Sequence, residues 1–252
     1  MNMKNRYLAL MAFAVVFWLV ALQPATAQGR LYELRIYTAS PGKLEDVVTR
    51  FRKHAVKYFP KYNMKLEGFW IPTANQENQV YWLVSYDNRE ARDKSWQAFR
   101  ADKGWQKAVK KSTKNGEIVA KVEEVFLTAT DFSPINAASV GNRVFELRIY
   151  KSPPNKMPDL LSRFRNHTLK LFAKHGMTNI FYATTVEPDP TTQPILYYFI
   201  THKDQPTAAQ NFKNFGADPD WKSAATASEV NGKIVEKITS VFMLPTDFSP
   251  IK

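Results

Sequence analysis

No cysteine occurs in the sequence, and its 252 residues include only nine glycines and four histidines. Without cysteine there is no disulfide scaffold, no cysteine-acylated lipoprotein and no thiol nucleophile. With so little glycine, the Gly-rich loops that cradle dinucleotides and phosphates are missing, and so is a Gly-x-Ser-x-Gly elbow. The four histidines show no His-x-x-x-His spacing, and no carboxylate-rich loop accompanies them, which argues against a dedicated zinc or calcium site. Hydrolase and nucleotide-dependent chemistries therefore fall away. Signatures of RNA- and DNA-binding modules are absent too, so no nucleic-acid partner is expected.

Long apolar runs are also scarce. The one that stands out, Leu8 to Leu22, covers 15 residues, short of the ~20 that cross a bilayer. Lys4 and Arg6 precede it and Ala25-Thr26-Ala27 comes after it. This is the pattern of a signal peptide spanning residues 1–27, with cleavage before Gln28 and no membrane span afterwards. The expected location is therefore the periplasm or the medium. Against 23 acidic residues the chain carries 35 Lys and Arg; losing Lys4 and Arg6 leaves 33, so the net charge falls from +12 to +10. The densest lysines, Lys103, Lys107, Lys110, Lys111 and Lys114, have the spacing of a solvated helix face. Excess positive charge could also draw the protein to anionic lipid or polysaccharide.

What is present is a repeat. Glu33-Leu34-Arg35-Ile36-Tyr37 recurs as Glu146-Leu147-Arg148-Ile149-Tyr150, and Arg50-Phe51-Arg52 with His54 recurs as Arg163-Phe164-Arg165 with His167, all at an offset of 113. Further along the offset is 116, and Asp131-Phe132-Ser133-Pro134-Ile135 returns as Asp247-Phe248-Ser249-Pro250-Ile251. Asn136 to Asn142 forms a short linker, giving expected domains at 28–137 and 138–252.

In the first copy, Leu31 to Thr38 alternates as a strand does, and apolar residues from Leu44 to Phe59 keep helical spacing over about residues 43–62. Strands are expected at Met64–Pro72, Val80–Tyr86 and Ile118–Thr128, with helices at Arg89–Arg100 and near Trp105–Ser112. The order β-α-β-β-α-β predicts an α+β fold of two tandem ferredoxin-like units. Each unit's open sheet face would be covered by the other, making an intramolecular dimer; assembly into a homo-oligomer stays open.

The Glu-Leu-Arg-Ile-Tyr strand, the Pro41-Gly42 turn, the helix bearing His54, and the run Tyr86-Asp87 through Arg92, Trp96, Phe99, Asp102 and Trp105 together resemble the NIPSNAP family, in both copies. The resemblance implies a dimeric α+β barrel. Relatives on that scaffold include cofactor-free monooxygenases, isomerases and haem-binding enzymes, while NIPSNAP members mostly have no assigned reaction. The second copy departs from the pattern where Arg92, Trp96 and Trp70 are matched by Ala208, Phe212 and Ala183. A site confined to one copy is therefore expected in the first.

Strand alternation puts Leu34 and Ile36 on one face and Glu33, Arg35 and Tyr37 on the other. With the apolar face against the helices, the polar trio and its repeat Glu146, Arg148 and Tyr150 would meet between the two sheets. There they would either pair structurally or bind an anionic or enolic ligand. His54, seven residues after Val47, should lie near the sheet-facing stripe, as should His167. Either could be a satisfied buried histidine, a base or a haem ligand. His175 and His202 correspond to Tyr62 and Tyr86 in the other copy, so neither is repeated, and both read as surface or packing residues. The crowded aromatics of the first copy read mostly as core, with a minority able to line a cleft for a flat ligand. The leading expectation is a small organic ligand or an envelope partner bound without catalysis and without a cofactor. The rivals are a cofactor-independent oxygenase or isomerase, or a haem binder.

Overall fold

A computed structural model describes residues 29–134, 141, 143–186 and 193–252. The expected signal segment, its cleavage point, Ile135 and most of the linker lie outside the described residues. The first half runs β1 (Leu31–Ala39), α1 (44–58), β2 (Lys65–Pro72), β3 (Gln79–Tyr86), α2 (Arg89–Ala101), α3 (Lys103–Ser112) and β4 (Val119–Ala129). The second half repeats it as β5 (Val144–Lys151), α4 (157–174), β6 (Thr178–Thr185), β7 (Ile195–His202), α5 (Gln205–Ala217), α6 (Pro219–Ser228) and β8 (Lys237–Pro245). Among the described residues no helix is long and apolar enough to cross a membrane.

Local chemistry sets these boundaries. Asn88 caps α2 by accepting from the Ala91 N–H at 2.8 Å, and Asp102 caps α3 by accepting from Trp105 N–H at 2.9 Å. Asp204 and Asp218 cap α5 and α6 in the same way. After α1 the chain turns through a left-handed residue, Asn63 at φ 54°, and after α4 through Gly176 at φ 77°.

The eight strands close into one antiparallel barrel in the order β1-β3-β2-β8-β5-β7-β6-β4. The halves are thus joined edge to edge by two short ladders, β2 with β8 and β4 with β6. Closure removes the sheet edges that would otherwise be open to further pairing. The interior is a dry core that includes Leu34, Ile36, Trp70, Leu83, Phe145, Leu147, Phe199 and Met243.

This arrangement corrects the expected orientation of the first strand. Leu34 and Ile36 point into the barrel. Glu33, Arg35 and Tyr37 point outward beneath the helices, as their contacts with Arg92, Trp96 and Phe51 show. The same holds for Leu147 against Glu146, Arg148 and Tyr150. Because β1 and β5 stand four places apart around the barrel, the two polar trios never meet. The reason is energetic: a barrel interior without polar partners cannot hold a carboxylate, whereas the outer face supplies donors, from helix and strands to Glu33 and from strands to Glu146.

The repeated Asp-Phe-Ser-Pro segment is a reciprocal clasp. Phe248 packs on Phe69 with ring centroids 4.9 Å apart, Ser249 Oγ accepts from Phe69 N–H at 3.0 Å, and Asp247 receives Arg52 at 3.0 Å. In the other direction Phe132 packs on Tyr182 at 5.7 Å, Ser133 Oγ accepts from Tyr182 N–H at 3.0 Å, and Asp131 receives Arg165 at 2.6 Å. Each half thereby ends on the other, which explains why Arg52 and Arg165 recur.

Candidate functional site

Two polar constellations occupy the helix layer of each half. The first is centred on the β1 carboxylate. Glu33 is fully buried and accepts from Arg35, from Tyr86 Oη at 3.1 Å, from Arg92 Nε at 3.1 Å and Nη2 at 2.6 Å, and from Trp96 Nε1 at 3.2 Å. Arg35 also meets Glu124 at 2.6 Å and lies 4.4 Å from the centre of the Trp96 ring. Burial opposes the charge on Glu33, but the Arg92 hydrogen bonds and the Arg35 charge outweigh it and hold the carboxyl below its usual range. Burial pushes the Tyr37 phenol up despite the neighbouring Arg35.

In the second half the same hub is rewired. Glu146 accepts from Arg148 at 2.5 Å, from Ser240 Oγ at 2.6 Å and from the His202 ring nitrogen Nε2 at 2.8 Å. His202 stands where the first half has Tyr86, Ser240 where it has Glu124, and Ala208 and Phe212 where it has Arg92 and Trp96. Arg148, with Tyr198 in place of Trp82, bonds the Tyr198 hydroxyl at 2.9 Å and the Tyr150 hydroxyl at 3.1 Å. His202 is therefore no surface residue; it is fully buried and completes the hub. The signal that could have located it was its alignment with Tyr86, a strand-end position two residues beyond the one that pairs with the repeated glutamate.

Both glutamates are thus buried anionic anchors on the outer face of the sheet. Glu146 is also held below its usual range, its burial outweighed by the His202 hydrogen bond and the Arg148 charge. A carboxyl whose folded pKa lies below its unfolded value near ~4.3 contributes stability above that value and loses it as pH falls through the folded pKa. The melting temperature should therefore drop as the pH is lowered from about 5 to about 3, and Glu33→Gln should make that drop shallower. A drop of unchanged steepness would exclude Glu33 as its source.

The second constellation lies farther out, between the first and last helices of each half. Phe51–Ala55 and Phe164–Thr168 are π-helical turns inside α1 and α4, and Thr168 Oγ1 bonds the Arg163 carbonyl at 3.2 Å. Each wider turn keeps its first and last residues, Phe51 and Ala55 or Phe164 and Thr168, buried and rotates the residues between them, which moves His54 and His167 off the sheet-facing stripe. His54 is half-buried; burial, then the Lys111, Lys57 and Lys53 charges, lower its pKa. His167 is exposed. Neither is fully enclosed between helix and sheet. Among the described residues no group of three or more His, Cys, Asp or Glu side chains gathers to hold a metal.

In the second half this outer layer opens into a pocket of about 280 Å³ lined by Arg163, His167, Ser228, Asp159 and Asn231. It adjoins a trough of about 570 Å³ that shares His167 and runs past Lys170 and Ser223. Arg163 is buried; its Nη1 bonds Ser228 Oγ and Glu229 at 3.2 Å each, while its Nε has no partner among the described residues. The aromatics that might have framed a flat cleft belong to the core instead: Trp70 fills the barrel, while Trp82 and Trp96 pack between sheet and helices.

A closed antiparallel barrel wrapped by helices and assembled from two like halves defines the α+β barrel class. Its backbone superposes on the "putative monooxygenase" of Lactobacillus acidophilus NCFM with a TM-score of 0.57 at 12% identity, covering 86% of this chain and 94% of that one. A "putative monooxygenase" from Fusobacterium nucleatum gives 0.57 at 9% identity, over 88% and 98%. At such identities the likeness concerns the fold alone. The NIPSNAP family model matches residues 32–134 and 145–250, and the chain belongs to the NIPSNAP family. It is similar to Protein NipSnap homolog 3B of Mus musculus, 21% identical over 92% of this chain and 90% of that one. It also matches Protein NipSnap homolog 3A of Pongo abelii, 30% identical over 34% of each.

Proposed function

We propose that this NIPSNAP-family protein is exported and binds a small polar organic molecule in the second half, without catalysing a reaction on it. The observation that carries the reading is Arg163, a buried residue that lines an open pocket and whose Nε has no partner among the described residues. A buried donor without a partner costs free energy that a ligand acceptor can recover. Binding without catalysis is favoured because the two carboxylates best placed to move protons, Glu33 and Glu146, are saturated with donors and kept ionised. The same reading holds each half to be a ferredoxin-like unit, with domains at 28–137 and 138–252 forming an intramolecular counterpart of a dimer. The rival is a cofactor-independent oxygenase or isomerase, suggested by the proteins of similar fold.

Native mass spectrometry of the protein purified from its host should show a co-purified small molecule, lost at least tenfold in Arg163→Lys while the melting transition survives. The mature chain should begin at Gln28 by N-terminal sequencing. Retention of Met1 would overturn export. Conversion of the bound compound by the purified protein would overturn the binding-only reading, and a Soret absorbance band would replace it with haem binding.

A further inference from the structure

The residues around Arg163 have counterparts in the first half, and the two sets differ by three charges. Lys111 stands in place of Ala227, Lys114 in place of Val230, and Thr113 in place of Glu229, so two cations are gained and one anion is lost. Arg50 matches Arg163, and Ser112 matches Ser228. The Arg50 guanidinium is half-buried, reaches Ser112 Oγ at 3.4 Å, lies 5.8 Å from the centre of the Trp105 ring, and has a buried Nε without a partner among the described residues.

The contrast with the second half is chemical. Arg163 has its own carboxylate, Glu229, at 3.2 Å. Arg50 forms no ion pair among the described residues. The nearby carboxylates are directed elsewhere: Asp46 pairs with Lys43 at 3.1 Å and Glu45 with Arg52 at 3.3 Å, while exposed Glu117 acts on Arg50 only at longer range. Lys111 and Lys114 are exposed and likewise form no ion pair among the described residues. Burial pulls the Arg50 pKa down and outweighs Tyr37 and Glu117, which act to raise it.

We propose that the first half binds the phosphate group of an organic phosphate between Arg50, Lys111 and Lys114, with the Ser112 hydroxyl beside it. A carboxylate offers one charge and is matched by a single arginine, as Glu229 is by Arg163. A phosphate monoester offers roughly −1.5 to −2 charges and three acceptor oxygens, which suits one guanidinium fork and two ammonium groups. The proposal stands apart from the second-half pocket, because it rests on residues that pocket lacks.

The test uses a substitution the fold already accommodates. Thr113→Glu places in the first half the carboxylate that the second half carries at Glu229, so the variant should fold while occupying its own site. Calorimetric titration of the full chain with inorganic phosphate, at ionic strength held constant with chloride, should show one site, weakened at least tenfold in Thr113→Glu and in the pair Lys111→Ala with Lys114→Val. Co-sedimentation with phosphatidylcholine vesicles containing phosphatidic acid, against phosphatidylcholine alone, separates the sources. Binding of free phosphate alone points to a soluble organic phosphate, and binding of the vesicles alone to a lipid headgroup; either supports the site. Binding of neither, or binding unchanged in the variants, overturns it.

Discussion

Glu33→Ala should lower the unfolding free energy by ~3–5 kcal/mol, the range found when one member of a buried ion pair is removed. Glu33 accepts from four side chains, Arg35, Tyr86, Arg92 and Trp96. Its loss leaves Arg35, which is only 3% exposed, with Glu124 as its remaining carboxylate. The Tyr86 hydroxyl and the Trp96 N–H are buried and would lose their acceptor, at ~1–3 kcal/mol for each donor left unsatisfied. Denaturant unfolding measures the effect, and a loss below ~1 kcal/mol would mean that water already reaches the network. Arg92→Ala should cost much less. Its guanidinium is more exposed, at 13%, and the second half folds with Ala208 at that place.

This network shows where the sequence is legible and where it is not. Periodicity locates every strand and helix of the first half to within a few residues, because each element has its own spacing and α2 and α3 start at their own caps. Alternation also separates Glu33, Arg35 and Tyr37 from Leu34 and Ile36. It does not say which face looks inward, since in a barrel wrapped by helices both faces of the sheet are buried. The π turns leave no trace in the hydrophobic pattern, because Phe51 and Ala55 are buried on the expected stripe and only the residues between them are rotated. Regular helical spacing puts His54 on the wrong side for that reason. The clasp is visible as a repeat, but the partners of Asp131 and Asp247 lie in the opposite half, beyond the reach of any local pattern. In the sequence, the departures at Arg92 and Trp96 put a second-half site in doubt, and His202 in place of Tyr86 reads as surface or packing. In the structure they are one coordinated exchange of partners around a retained glutamate.

The departure at Trp70 has a different physical basis, and it yields a sharper expectation. Trp70 is buried in the barrel, its ring stacked 5.0 Å from Phe199 and 5.6 Å from Phe145. It lies across Gly68: a Cβ built there would stand 2.1 Å from the Trp70 ring. In the second half the matching positions are Phe181 and Ala183, so a small residue followed by a large one becomes a large residue followed by a small one. Residues two apart on a strand share a face, and each pair fills the same interior layer. Trp70→Ala alone should cost ~3–5 kcal/mol through the cavity it leaves. Gly68→Phe alone has no room while the indole is present and should prevent folding or cost more than ~4 kcal/mol. The two together recreate the arrangement of Phe181 and Ala183, in which Phe181 packs 4.7 Å from Tyr32; at position 68 the added ring would lie near Phe145 instead. The double variant should therefore fold and be less destabilised than the sum of the single changes by ~1–3 kcal/mol. Denaturant unfolding of the three variants measures this coupling. Simple additivity would show that the two halves fill the barrel independently rather than by complementary volumes.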